Sequence, residues 1–225
     1  MIYLIGLGLD MKDLSVKALQ ALKKCKKVYL EVYTTKIPYK IQELEKIIGK
    51  KVILANRKKI ENESKELIKE SKKANIAILV YGDPLSATTH INFIREGKTE
   101  VIHSTSILTA VAQTGLSLYK FGKTTSLPRF QKGYKPDSFM KIIRENQGIN
   151  AHTLLLINPG MTLKTALEQL EEVSKGKIGK IIILSMAGTK KQKILKGTLK
   201  VLKKKKIEEP FCIIIPSKLS YGEEI

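Results

Sequence analysis

Apolar and polar positions along this chain change period repeatedly, and each change marks an element. Residues 2–6 (IYLIG) are an unbroken apolar run of strand length, the pattern of a strand covered on both faces. In DLSVKALQALKKC (13–25) the apolar positions 14, 18, 21, 22 and 25 recur at helical spacing, and Asp13 stands where an N-cap belongs. The pattern then predicts strands at 28–32 and 52–54, a helix around 61–73 and a strand at 76–81. The segment YGDPLSATTH (81–90) follows. Beyond it come a helix near 88–96, a short strand at 100–102 and a helix from Ser106. Such alternation implies a mostly parallel sheet with helices on its faces.

The stretch GLSLYKFGKTTSLPRFQKGYKP (115–136) breaks the rhythm, with three Gly, two Pro and four Lys. It reads as a linker with one strand embedded near 123–127. A second α/β pattern follows. HTLLLIN (152–158) is a strand, and TLKTALEQLEEV (162–173) is a helix with Leu163, Ala166, Leu167, Leu170 and Val173 on one stripe. KIIILSM (180–186) and FCIIIP (211–216) are strands, and GTLKVL (197–202) alternates as a further strand does. The organisation predicted is two α/β domains of similar size, 1–117 and 118–225.

Composition narrows the class. With 43% hydrophobic residues the 225-residue chain can bury a real core. No apolar run approaches the roughly 20 residues that span a bilayer, and the start MIYLIGLGLD has no basic leader. A soluble, cytoplasmic protein without a membrane partner is expected. Cys25 and Cys212 form no CxxC pair and read as small buried hydrophobes. His90, His103 and His152 are scattered, so no metal is expected. The net charge of +20 comes almost entirely from Lys. Its densest run, KKQKILKGTLKVLKKKK (190–206), has nine Lys and no aromatic residue to stack a base. A solvated face is the first reading and a docking surface for RNA, or for a nucleic-acid-associated protein, the second; direct nucleic-acid binding is not expected.

Four Gly-bearing segments follow predicted strands: GLGLD (6–10), YGDPLS (81–86), NPGM (158–161) and MAGT (186–189). Ligands of open parallel sheets bind at such strand ends. GLGLD starts like a dinucleotide fingerprint, but Met11 occupies the place of the third Gly, and no GxxxxGK[ST] occurs. In YGDPLSATTH, Gly82 permits unusual backbone, and Pro84 keeps Asp83 out of the helical region. Asp83 can then orient the loop or face a ligand cation, while Ser86, Thr88 and Thr89 supply hydroxyls. Local physics leaves an ordinary Asp-Pro turn and a ligand loop both standing. No GxSxG elbow is present. Sites with few acids or bases suit reactions driven by positioning an already reactive cosubstrate, such as methyl transfer from S-adenosylmethionine. If a protein base takes part, Asp83 and His90 are the candidates; His90 also reads as a helix-start or core histidine.

These stretches together resemble the diphthine synthase family, within the tetrapyrrole methylase-like class of S-adenosylmethionine-dependent methyltransferases. The resemblance runs in order through IGLGL (5–9), DLSVKAL and KKC (13–25), LEVYT (30–34), GDPLSATTH (82–90), VIHSTSILTAVAQTGLSLYKFGK (101–123), HTLLL (152–156), MAG (186–188) and IIIPSKL (213–219). GLGL and GDP belong to the wider fold; ATTH and the run ending in YKFGK are narrower. It implies two α/β domains of the tetrapyrrole methylase type, an active site in the inter-domain cleft, S-adenosylmethionine as cosubstrate without a metal, and a homodimer. The implied partner is translation elongation factor 2. One of its histidines carries a 3-amino-3-carboxypropyl group, whose amine the archaeal-type enzyme trimethylates. Carried over by position, the cosubstrate contacts are Leu9, Asp83, Ser86, Ser106, Ile107, Ile157, Ala187 and Phe211. The family commonly has Val at Ser86, and a relative has His at Phe211. SLPRFQKGYKPDSF lacks a Trp-bearing loop, and the family usually continues some tens of residues past YGEEI. The alternatives are a fold-mate acting on a corrin precursor or ribosomal RNA, against which ATTH and YKFGK argue, and a non-enzymatic RNA-binding protein.

Overall fold

The structure, a computed structural model, describes residues 1–223; Glu224 and Ile225, the end of the predicted 118–225 domain, lie outside them. The chain folds as two compact units that divide between Ile107 and Leu108. Composition drew the boundary ten residues later, at 117/118. The 3-10 turn Val111–Thr114 packs on a strand of the second unit, which gives those residues to it.

The first unit holds strands β1 (Ile2–Gly6), β2 (Lys27–Glu31), β3 (Ile53–Ala55), β4 (Ile76–Val80) and β5 (Thr99–Ile102). They form one wholly parallel sheet in the order β3-β2-β4-β1-β5. Its helices are α1 (Val16–Lys23), α2 (Ile41–Ile48), α3 (Ser64–Lys73) and α4 (Ile91–Glu96). One sheet face buries Tyr3, Ile5 and Leu79 against Ala18 and Leu22 of α1 and Leu44 of α2. The other buries Ile2, Leu4 and Ile78 against Leu67 of α3 and Phe93 of α4. Helices on both faces explain why β1 and β4 are apolar without interruption.

Two expectations need correction here. The N-cap of α1 is Ser15, whose Oγ accepts from Ala18 N at 3.1 Å. Asp13 instead ends a 3-10 turn, Met11–Asp13, because Leu14 leaves helical backbone at ψ 115°. The helix expected from 61 starts at Ser64, behind a π turn over Lys58–Asn62. Helix α2 was not anticipated. It lacks a side-chain cap, and its stop signal is Gly49 at φ 67°.

The second unit contains α5 (Ile107–Ala110, from its second residue), β6 (Thr125–Leu127), α6 (Ser138–Gly148), β7 (Thr153–Ile157), α7 (Leu163–Ser174), β8 (Lys180–Ser185), β9 (Lys193–Thr198), α8 (Leu199–Leu202) and β10 (Phe211–Ile215). The sheet order is β6-β7-β10-β8-β9, with β10 antiparallel to both neighbours. Leu155, Ile181, Ile183 and Ile213 pack with Phe139 and Ile143 of α6 and Leu167 and Leu170 of α7. GTLKVL is not a strand. Gly197 and Thr198 end β9, and one helical turn brings Leu199 and Leu202 to the same core. Residues three apart share a helix face but point to opposite faces of a strand. In the Lys-rich run, β9 is an edge strand, where Lys discourages pairing with another chain. Lys191 pairs with Glu208, and Lys203 with Glu171. Among the described residues, no helix is long and apolar enough to cross a membrane.

Glu223 closes this unit. Its carboxylate accepts from Ser117 N (2.8 Å), Ser220 N (2.6 Å), His152 Nε2 (3.0 Å) and Lys120 Nζ (3.2 Å). Burial pushes its pKa up, but the hydrogen bonds outweigh burial and hold it at about 2. A depressed carboxylate stabilises the fold above its unfolded value of 4.5, and that share is lost as pH falls toward 2. Glu223→Gln is expected to cost about 1–2 kcal/mol at neutral pH, and its difference from the parent should shrink through that acid window. Chemical denaturation from neutral to acid pH measures it; a difference independent of pH contradicts the assignment.

Candidate functional site

β1 and β4 lie side by side, and their carboxyl ends are joined. Leu7 N donates to Val80 O at 2.8 Å, and then Gly8 and Gly82 exchange hydrogen bonds of 3.1 and 3.0 Å. Both glycines have positive φ, 73° and 80°, so the bridge depends on residues without a Cβ penalty. Asp13 fills the space under Gly8, and its Oδ2 accepts from Leu9 N (2.8 Å) and Asp10 N (3.1 Å). Tyr81 Oη donates to Leu9 O at 3.1 Å. The backbone of Leu9 is thus held at both its N–H and its carbonyl. Gly82 differs from Gly8: a Cβ built there meets only Thr105 O, at 3.9 Å. Gly82 itself is buried, and that approach is an ordinary van der Waals contact.

Asp83 is buried and ties two loops together. Its Oδ1 accepts from Leu85 N (3.0 Å) and Ser86 Oγ (3.4 Å). Its Oδ2 accepts from His103 Nδ1 (2.7 Å) and Ser104 N (3.2 Å). Ser106 is buried just beyond, and Ile107 opens α5. Leu9, Asp83, Ser86, Ser106 and Ile107 therefore follow the carboxyl ends of β1, β4 and β5. Three of those five are tied by contacts that radiate from the Gly8–Gly82 bridge and Asp83.

In the second unit, Ile157 ends β7, Ala187 lies just past β8, and Phe211 opens β10. Because β10 runs antiparallel to β7 and β8, all three lie at the same end of the sheet's strands. Met186 and Gly188, at φ 53° and 76°, turn the chain at Ala187, and Met186 N donates to Pro210 O at 2.8 Å.

The known proteins that resemble this chain agree with this architecture. Residues 1–203 match the family described as Tetrapyrrole (Corrin/Porphyrin) Methylases. The chain belongs to the tetrapyrrole methylase family. Within it, a probable diphthine methyl ester synthase of Arabidopsis thaliana is 34% identical over 100% of this chain and 96% of its own. The diphthine methyl ester synthase of Schizosaccharomyces pombe is 42% identical over 79% of this chain. That match spans only 63% of the fission yeast protein. The crystal structure of a diphthine synthase superposes with a TM-score of 0.89 at 32% identity, covering 99% of this chain and 92% of that one.

In this tetrapyrrole methylase, residues outside the predicted set are as informative as those within it. Asp13 and His103 were noted only as a cap and as a scattered histidine. Asp13 holds the Leu9 loop from within the same turn, whereas His103 reaches Asp83 only through strand order. His90 is 1% exposed, with Nδ1 3.2 Å from Pro84 O and its ring stacked beside Phe93. Burial depresses its pKa, against the nearby Glu31 and Glu61 carboxylates. Glu31, which at the end of the second strand stands where a ribose-binding acid would, is buried and accepts from Tyr33 N (2.6 Å) and Thr34 N (2.7 Å), fixing the loop after β2. The loops after β1 and β4 offer backbone groups and small side chains. Such an arrangement binds and orients.

Proposed function

We propose that this chain is an S-adenosylmethionine-dependent methyltransferase acting in diphthamide biosynthesis. Its substrate on this reading is elongation factor 2, at the amine of the 3-amino-3-carboxypropyl-histidine, which it trimethylates. The observation that carries the proposal is the match along the whole chain to a plant protein named for diphthine methyl ester synthesis. The glycine-bearing loops after β1 and β4, held by Asp13 and Asp83, support a small-molecule cosubstrate beside them. In the first unit Leu9, Asp83, Ser86, Ser106 and Ile107 hold that cosubstrate, and in the second Ile157, Ala187 and Phe211. The same reading carries an archaeal-type, cytoplasmic homodimer.

S-adenosylmethionine supplies an electrophilic methyl group when bound. The protein has to orient it and keep the acceptor amine neutral. Both Asp83 oxygens are already engaged by loop donors, so Asp83 positions the loop and presents negative charge toward a sulfonium rather than removing a proton. Desolvation lowers the pKa of an amine, so a strong protein base is not needed.

The names of the relatives favour a second reading of the product. They specify a methyl ester, that is, transfer to a carboxylate oxygen. One experiment addresses both. Pure protein is incubated with labelled S-adenosylmethionine and elongation factor 2 bearing the half-made modification, and the product peptide is weighed. Three added methyl groups that resist mild base support amine trimethylation. A further base-labile methyl supports the ester. No label on the factor rejects both.

A further inference from the structure

Arg129 stands on the loop that leaves β6, and buried Gln169 of α7 holds that loop from within the unit. Gln169 Oε1 accepts from Phe130 N at 3.1 Å, and its Nε2 donates to Pro128 O at 2.9 Å. One amide thus clamps the backbone on both sides of Arg129. A buried polar group satisfied at both ends rigidifies what it touches. The guanidinium is held as well. Its Nη2 donates to the carbonyl of Gly160 in NPGM (158–161), the loop that leaves β7. Gly160 has φ 77°, and within 4 Å a Cβ built there meets only that Nη2, at 3.6 Å.

β6 and β7 are parallel, so both loops leave the same end of the sheet. Ile157, Ala187 and Phe211 lie at that end too. Helix α7 starts just beyond, with Thr162 as its N-cap, so the positive end of its dipole adjoins the Gly160 loop. Arg129 is exposed and has no carboxylate partner among the described residues. A guanidinium has several N–H donors in a planar fork, and Gly160 takes one without neutralising the charge. The rest of the fork suits a planar anion with two oxygens, a carboxylate, which arginine binds bidentately. A cationic ligand would be repelled, and an apolar one would desolvate the charge without return.

We propose that Arg129 binds the carboxylate of an amino-acid group at this end of the second unit. Two ligands of the methyltransferase reading carry the same amino-acid head: the 3-amino-3-carboxypropyl arm of the acceptor and the methionine moiety of S-adenosylmethionine. Only the owner of the carboxylate rests on that reading. On the acceptor arm, a carboxylate held by Arg129 leaves the adjacent amine free for the methyl group. The nearby positive charge also favours the neutral amine that attack requires.

The test uses the full chain labelled with ¹⁵N-arginine, the Arg129 Nε signal being assigned with Arg129→Met. L-2-aminobutyrate, the free form of the shared head, is titrated in. The controls are 2-amino-1-butanol, which lacks the carboxylate, and inorganic phosphate. A saturable shift with aminobutyrate alone is expected. No saturable shift, or an equal one with either control, overturns the proposal. In the methylation assay, Arg129→Met should raise KM for the half-modified factor, or the calorimetric Kd for S-adenosylmethionine, by about tenfold or more. The quantity that moves names the owner of the carboxylate. Arg129→Lys, which keeps the charge without the fork, should recover part of the loss. Both quantities within about twofold of the parent overturn the proposal, as does a loss that Arg129→Lys leaves undiminished. A protein that binds aminobutyrate at Arg129 but labels no factor keeps the carboxylate site and loses the methyltransferase reading.

Discussion

Gly8→Ala is expected to be among the most damaging single methyl groups in this protein. The new Cβ falls 2.2 Å from Asp13 Cβ and 2.7 Å from its Oδ2, at φ 73°. Left-handed backbone costs a non-glycine residue about 1–2 kcal/mol, and overpacking adds about 1–3 kcal/mol. The variant therefore loses about 3 kcal/mol of stability if it folds. It also breaks the Asp13 bond to Leu9, so affinity for S-adenosylmethionine should fall by about tenfold or more. Gly49→Ala is the control. Gly49 has a similar φ of 67°, but nothing lies within 4 Å of its added Cβ. It should lose about 1 kcal/mol with cosubstrate binding intact. Denaturant midpoints and calorimetric titration read both. If Gly8→Ala behaves like Gly49→Ala, the Asp13 packing is irrelevant.

Asp83→Ala has the second largest expected effect. It leaves the N–H groups of Leu85 and Ser104 and the His103 ring without their acceptor, and frees the Ser86 hydroxyl. Each buried group left unsatisfied costs about 1–3 kcal/mol. Part of that cost is relieved as the loop opens, which spoils the site. Affinity for S-adenosylmethionine should fall by ten- to a hundredfold, at about 1.4 kcal/mol per factor of ten. His103→Ala removes one donor from a ring that is two-thirds exposed, so its effect should be several times smaller. Cosubstrate affinity within twofold of the parent in Asp83→Ala would remove Asp83 from the site.

The glycines and Asp83 illustrate what a linear reading can reach. Gly8, Gly82 and Asp83 were visible as turn formers after apolar strands, and the strands were visible because both sheet faces are covered. Cys25 and Cys212 were recognised as buried from their apolar neighbours, and both are buried and free. GTLKVL misled because six alternating residues fit a strand as well as a helical turn, and only the core position of Leu199 and Leu202 decides between them. Helix α2 escaped because its apolar stripe has no capping side chain to announce it.

By itself, then, the amino-acid order determined the two α/β halves, the positions of most strands and longer helices, and the loops on which a ligand site could stand. Those features are encoded by periodicity and turn chemistry within a few residues of each other. Tertiary structure alone decided which loop partners meet. Gly8 reaches Gly82 because β1 pairs with β4, and His103 reaches Asp83 because β4 and β5 flank β1. Thr89 and Tyr33 meet Glu61 across segments 28 residues apart. These pairings depend on strand order and register, quantities set by the burial of the whole sheet and written in no local pattern.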